Sequence, residues 1–252
     1  MAKIFKALRF VLCLLPISLV AGYFVGLYQL EIYSEELLPE IIAQLGSTDI
    51  FIVLCIAQTV GYAIFCGFFG YLIAEKIGLW KPFKIEKSKL LVTSLASFAG
   101  GRVFSLDYWV FGNLIEGVKE ADAAGLSANS VIASVLYGGV IEEVMMRLFV
   151  MSLVALVIWK LFFKKYDSDS IPAVVFAVAN IIAALGFAAG HLPATVMFFG
   201  ELTPMIIVRC FLLNGGFGLL FGWLYRKYGI VYAMLSHTLF HVVSKAIWLI
   251  FI

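Results

Sequence analysis

Residues 130–163 read SVIASVLYGGVIEEVMMRLFVMSLVALVIWKLFF. Before Lys160, the charged residues of this run are Glu142, Glu143 and Arg147. About 20 apolar residues suffice to cross the hydrocarbon core of a bilayer. The run therefore predicts a transmembrane helix with ionisable side chains at bilayer depth, where such groups are costly and are retained for pairing or for function.

The rest of the chain has the same apolar character. Of its 252 residues, 63% are hydrophobic and 13% are charged, with a mean hydropathy of +1.04, whereas a soluble domain has about 45–50% apolar and about 25% charged residues. This composition excludes a soluble globular protein, a disordered chain and a nucleic-acid-binding protein. Further apolar runs lie at 7–30, 49–74, 89–116, 171–191, 203–226 and 230–251. We therefore predict an all-α fold, a polytopic transmembrane helical bundle.

The number of crossings depends on the run 89–116. It contains Gly100-Gly101-Arg102, which predicts one broken or partly re-entrant segment and a total of seven or eight helices. No linker is long enough to separate domains, so we expect a single transmembrane domain over residues 1–252. The apolar run at the N-terminus is too long for the core of a signal peptide, and we expect it to be a retained first helix.

Loop charges predict the orientation of the bundle. Basic residues gather before the first run, between the second and third, after the fourth and after the sixth, as Lys3, Lys6, Arg9, Lys76, Lys81, Lys84, Lys87, Lys89, Lys160, Lys164, Lys165, Arg226 and Lys227. The other loops are acidic, with Glu31, Glu35, Glu36, Glu40, Asp49, Glu116, Glu120, Asp122 and Glu201. Because cytoplasmic loops carry the excess of Lys and Arg, we expect a multi-pass integral membrane protein with a cytoplasmic N-terminus. In a prokaryote the lipid bilayer around it would be the cell membrane.

The two adjacent carboxylates of the run 130–163 are expected to differ. Glu143 and Arg147 are spaced i, i+4 and share one helix side, so Glu143 should stay ionised against the guanidinium. Glu142 is rotated by about 100° and has no local cation. Environments that separate two carboxylates in this way are typical of acid/base sites. The alternative is a purely structural ion pair, which leaves Glu142 unexplained.

The three histidines of the chain, His191, His237 and His241, all lie in apolar segments. His237 and His241 are spaced i, i+4, which suits a metal or two donors aimed at one oxyanion. Each histidine could instead be a helix cap or a core residue. Together with Glu142 they predict an active site inside the membrane. The predicted topology, however, separates His191 and His237 by more than about 10 Å in depth, and the site closes only if tilts or breaks reduce that gap.

Two further cations lie in apolar runs. We expect Arg209 to pack against the bundle interior or to pair with Glu201. We expect Lys245 to extend its ammonium group to the outer face of the membrane.

These residues resemble the signature of the CPBP family of intramembrane proteases, which includes CAAX proteases and bacteriocin-processing or Abi proteins. The family pattern is EExxxR, then FxxxH, then HxxxN or HxxxD. It matches here at Glu142-Glu143 with Arg147, at Phe187 with His191, and at His237, where the fourth residue is His241 instead of Asn or Asp. The resemblance covers a core of about residues 130–245.

The resemblance implies an intramembrane endopeptidase with a conical cavity in which Glu142 and His191 activate a water molecule. Glu143 and Arg147 would orient Glu142 or bind the C-terminal carboxylate of the substrate. The substrate would be a membrane-bound protein or peptide, with a prenylated CAAX tail as one candidate.

The late histidines leave the chemistry open. His237 and His241 would form the oxyanion hole, and such a glutamate-type mechanism requires no cofactor. Histidine also ligates metal, so a zinc ion is the alternative, held by Glu142, His191, His237 and His241.

Two other functions remain in view. The departure at His241 allows a catalytically silent family member that acts as a membrane scaffold or regulator. Buried Glu, His and Arg sets also line ion paths, which allows a small ion or proton transporter, although the sequence shows no inverted repeat of the kind common in transporters.

Overall fold

The computed structural model describes residues 1–33 and 37–252, and Glu35 and Glu36 of the first acidic loop lie outside these ranges. The described chain is 84% helical and has no strand, which confirms the predicted all-α fold. Its helices are α1 (Ala2–Ile32), α2 (Leu37–Leu45), α3 (Thr48–Lys76), α4 (Lys87–Ser105), α5 (Asp107–Val110), α6 (Val118–Ala124), α7 (Ala128–Phe162), α8 (Ala173–Phe199), α9 (Pro204–Tyr228) and α10 (Ile230–Phe251). Six of the described helices, α1, α3, α7, α8, α9 and α10, are long and apolar enough to cross a membrane.

The third predicted run is broken, but not at its glycine pair. Helix α4 continues through Gly100 and Gly101 and ends at Ser105, after which the chain turns into the short helices α5 and α6. A Cβ on Gly101 would lie 2.8 Å from the Cβ of Val243 in α10. The glycine pair therefore serves the close packing of α4 on α10.

Small residues also bring α1, α3 and α7 together. A Cβ on Gly22 of α1 would lie 2.6 Å from the Cα of Ile56 in α3. Further along α3, a Cβ on Gly70 would lie 3.0 Å from the backbone of Leu148 in α7. Helices in lipid associate by such close backbone approach, because no hydrophobic effect drives them together.

The helix that carries the carboxylates is wound unusually. Within α7, the segments Ser134–Glu142 and Val144–Met151 are π-helical and flank Glu143. π-Helical turns are rare in proteins, and those that occur are often found at functional sites. In the same helix, Gly139 faces Thr238 of α10 so closely that a Cβ would lie 2.1 Å from its hydroxyl oxygen. This approach places the carboxylates of α7 against the histidines of α10.

Helix α8 breaks at His191. The first segment ends at Gly190, and the chain turns at His191 before a second segment runs from Leu192 to Phe199. Pro193 lies in the first turn of that segment, where a backbone N–H would have no intrahelical partner, so the helix loses no hydrogen bond to proline. The break places His191 at a helix end inside the bundle.

Candidate active site

A cavity of about 430 Å³ lies among α1, α7, α8, α9 and α10. This volume is within the usual range of ligand pockets, about 300–1,000 Å³. The predicted site residues that line it are Glu142, His191, His237 and His241. The other two, Glu143 and Arg147, lie behind its wall.

Glu142 and His191 form the open part of the site. The Glu142 Oε1 atom is 3.9 Å from His191 Nε2, and the side chains are 18% and 33% exposed. His191 Nδ1 lies 2.8 Å from the carbonyl oxygen of Phe187. Because a carbonyl only accepts hydrogen bonds, Nδ1 carries the hydrogen, and the neutral ring presents the lone pair of Nε2. The two acceptor atoms, Glu142 Oε1 and His191 Nε2, thus lie far enough apart for a water molecule to bridge them.

Glu143 lies in a closed pocket. Its Oε1 atom is 2.9 Å from His237 Nδ1 and 3.4 Å from Arg147 Nη1, and neither Glu143 nor Arg147 is more than 2% exposed. Arg147 also donates from Nη2 to the carbonyl of Gly218, and its guanidinium lies over the ring of Phe187. The structure thus shows this pair closed off from the cavity. The predicted roles of Glu143 and Arg147, in binding a substrate carboxylate and in orienting Glu142, stay predictions.

His237 and His241 face each other instead of converging on a third atom. Their Nε2 atoms are 3.1 Å apart, and the rings are stacked with centroids 4.9 Å apart. Since His237 Nδ1 donates to Glu143, only one hydrogen lies between the two Nε2 atoms when both rings are neutral. The predicted pair of oxyanion donors is therefore not displayed in this arrangement.

The predicted zinc ligands share the cavity but not a coordination site. In the described part of the chain, no three His, Cys, Asp or Glu side chains lie close enough together to hold a metal ion. The closest approach among the four candidates is the contact between the two histidine Nε2 atoms.

The predicted separation in depth does not keep the histidines apart. The ring of Phe187 has its centroid 4.6 Å from that of His191 and 6.2 Å from that of His237. His237 also stacks on Phe221 of α9, with 4.2 Å between centroids. The break of α8 and these aromatic bridges bring the three motifs into one site.

Sequence reasoning missed a second polar cluster on the same cavity. Arg209 and Lys245 line the cavity together with Asp122. Arg209 Nε lies 2.9 and 3.1 Å from the two oxygens of the fully buried Asp107, and its Nη2 donates to the same carboxylate. The expected partner Glu201 is therefore replaced by Asp107, although the interior position was predicted.

Lys245 does not extend to the membrane face. It is 8% exposed, and its Nζ donates to the carbonyl of Gly125 and to Ser130 Oγ, the latter at 3.2 Å. The spacing of Lys245 from His241, i, i+4 on α10, was the available signal that the two line one cavity.

Asp122 completes this cluster. Its Oδ1 lies 3.7 Å from Arg209 Nη2, while its buried Oδ2 has no hydrogen-bond partner within the described residues. Burial and the nearby Asp107 raise the pKa of Asp122 to about 7, against the opposing effect of Arg209 and Lys245. Asp122 is therefore partly protonated near neutral pH.

The match to known proteins covers a little less than half of the chain and includes the histidines and carboxylates of the site. Residues 125–243 match the sequence model of a family described as Rce1-like, type II CAAX prenyl endopeptidase. The matched range includes all three sequence motifs and ends just before Lys245. No curated protein and no solved structure matches the chain.

Proposed function

Because residues 125–243 match the sequence model of the Rce1-like family of type II CAAX prenyl endopeptidases, we propose that this chain is an intramembrane endopeptidase acting on a prenylated CAAX tail. A CAAX tail is a cysteine followed by three terminal residues. The gap between Glu142 and His191 Nε2 is the observation that carries the proposal, because it offers two acceptors to one water molecule.

The reaction follows from these two acceptors. A water held by Glu142 and His191 attacks the carbonyl carbon of the substrate, and Glu142 takes the proton that the water loses. The new C–O bond turns the carbonyl oxygen into an oxyanion. When the C–N bond breaks, the leaving nitrogen takes the proton from Glu142. A positioned general base of this kind contributes about 10²–10⁴-fold.

The oxyanion would be stabilised by the two late histidines. It would accept a hydrogen bond from the Nε2–H of His241, which otherwise points to the other ring. His237 becomes a second donor when its ring holds two protons, and Glu143 supplies the counter-charge for that state. Glu143 and Arg147 are thus positioning residues, and His237 and His241 would touch the reacting oxygen.

Zinc is the alternative chemistry. Protein zinc sites have at least three protein ligands, and residues 1–33 and 37–252 gather no such set. No step of the proposed reaction runs through a metal, and zinc stays the alternative that a chelator tests.

The test uses purified full-length protein in liposomes and a fluorogenic farnesylated CAAX peptide, with wild type and Glu142→Gln each assayed with and without a zinc chelator. We expect wild type to cleave regardless of chelator, and Glu142→Gln to lose about 10²–10⁴-fold in kcat/KM. Glu201→Gln, which removes an exposed carboxylate, is the matched control and should cleave like wild type.

Each other outcome contradicts a specific part of the proposal. Equal cleavage by wild type and Glu142→Gln would remove Glu142 as the base. Chelator-sensitive cleavage would favour the zinc alternative. No cleavage by wild type would exclude the prenylated CAAX peptide as substrate and favour a catalytically silent role.

A further inference from the structure

The polar cluster formed by Asp107, Asp122, Arg209 and Lys245 has no role in the proposed hydrolysis, although it lines the same cavity. The anionic side chains of the cluster do not pair with all of its cationic side chains. Asp107 pairs closely with Arg209, whereas among the described residues Lys245 donates only to the neutral oxygens of Gly125 and Ser130. An ammonium group has three donors, so Lys245 retains capacity for one more acceptor.

Lys245 lies in line with the two late histidines. His237, His241 and Lys245 are spaced i, i+4, i+8 on α10 and line one cavity. At 1.5 Å per residue, Lys245 is about 12 Å along the helix axis from His237 and about 6 Å from His241. The distance from the proposed oxyanion site to the cationic group is therefore about 6–12 Å.

We propose that Lys245 and Arg209 bind the C-terminal carboxylate of the substrate, so that the cavity measures the number of residues between the cleaved bond and the end of the chain. An extended peptide spans at most about 3.3–3.6 Å per residue, and the three residues after a CAAX cysteine thus reach about 10 Å. This length fits the distance along α10. The inference rests on the proposed function and replaces the buried Arg147 as the carboxylate ligand.

The charge of the cluster is suited to one added carboxylate. With Asp122 protonated, the charges of Asp107 and Arg209 balance and the charge of Lys245 is uncompensated. The protonated Asp122 would also donate to the substrate carboxylate from its buried Oδ2, which has no hydrogen-bond partner among the described residues. Ion-assisted hydrogen bonds of this kind are about twice as strong as neutral ones.

The test compares two farnesylated peptides of the same sequence, one ending in a free carboxylate and one in a carboxamide. We expect wild type to prefer the free carboxylate by roughly ten- to hundredfold in kcat/KM, the range for a hydrogen bond to a charged group. In Lys245→Met this preference should fall toward one, while Lys245→Arg should retain part of it. An unchanged preference in Lys245→Met would overturn the inference and leave the protease intact.

A second measurement needs no variant. Wild type should cleave a peptide extended by two residues beyond the normal terminus more slowly, because its carboxylate would overshoot Lys245. Equal rates for the normal and extended peptides would contradict the measuring role even if Lys245→Met failed to fold.

Binding separates this inference from the proposed chemistry. If wild type cleaves neither peptide, the Kd values of the carboxylate and carboxamide peptides on the same liposomes decide the matter. Tighter binding of the carboxylate, lost in Lys245→Met, would support the subsite without the protease, and equal Kd values would reject it.

Discussion

Glu142 and Glu143 are neighbours in the chain and opposites in environment. Glu143 is fully buried and is compensated by Arg147 and His237, whereas Glu142 is 18% exposed to the cavity and faces His191 across 3.9 Å. An ionised group at bilayer depth is retained when it is paired or functional, and we expect Glu143 to illustrate the first case and Glu142 the second. The comparison predicts that changes around Glu143 act on stability, whereas changes around the cavity act on catalysis.

The largest stability effect is expected from Arg147→Met. Removing one partner of a buried ion pair leaves an uncompensated charge, which costs about 3–5 kcal/mol. We expect a marked drop in the Tm of the purified protein in detergent, measured by thermal unfolding. Glu142→Gln, assayed in the same way, should keep the Tm of wild type.

The double variant Glu143→Gln/Arg147→Met is the control for that result. It removes both charges, and we expect it to recover part of the Tm lost in Arg147→Met, because coupled residues are non-additive. A Tm of Arg147→Met equal to that of wild type would break the comparison, since Glu143 would then need no cation.

A substitution on the cavity side should act on catalysis instead of stability. His241→Ala removes a proposed oxyanion donor, and loss of one such donor costs about 10²–10³-fold in kcat. His241→Asn restores an N–H donor at the same position and should recover most of that loss. Steady-state kcat of the two variants checks this, and equal activity of His241→Ala and wild type would exclude His241 from the oxyanion site.

Local spacing in the sequence predicted the parts of the site that lie on one helix. The i, i+4 spacing placed Glu143 beside Arg147, and hydropathy placed His191 and His237 within the bundle. Periodicity says nothing about contacts between distant segments, which is why the pairing of Asp107 with Arg209 was missed. The depth estimate could not include the break of α8 at His191 or the aromatic contacts of Phe187, because neither has a signal in helix length.

The position of the Lys245 side chain, near the end of α10, was the hardest to predict from the sequence. A long stem lets Lys245 reach either the membrane face or the interior, and only the structure shows Gly125 and Ser130 as its partners. The π-helical winding of α7 had no sequence signal that we recognised. Composition and motif order thus predict the bundle and the family, whereas helix breaks and contacts between helices decide which cations reach the cavity.

Asp122, another buried carboxylate on the cavity, extends the comparison to the effect of pH. Its pKa is raised to about 7 by burial and by Asp107, against Arg209 and Lys245, and Tyr28 of α1 also lies within its electrostatic reach. As pH rises through about 7, Asp122 loses its proton and its new charge competes with a substrate carboxylate for Lys245. We therefore expect the KM for the carboxylate peptide to rise by up to about tenfold from a pH one unit below 7 to one unit above. Asp122→Asn cannot ionise and should keep the low KM across this range, while a pH profile of KM identical to that of wild type would remove Asp122 from the carboxylate site.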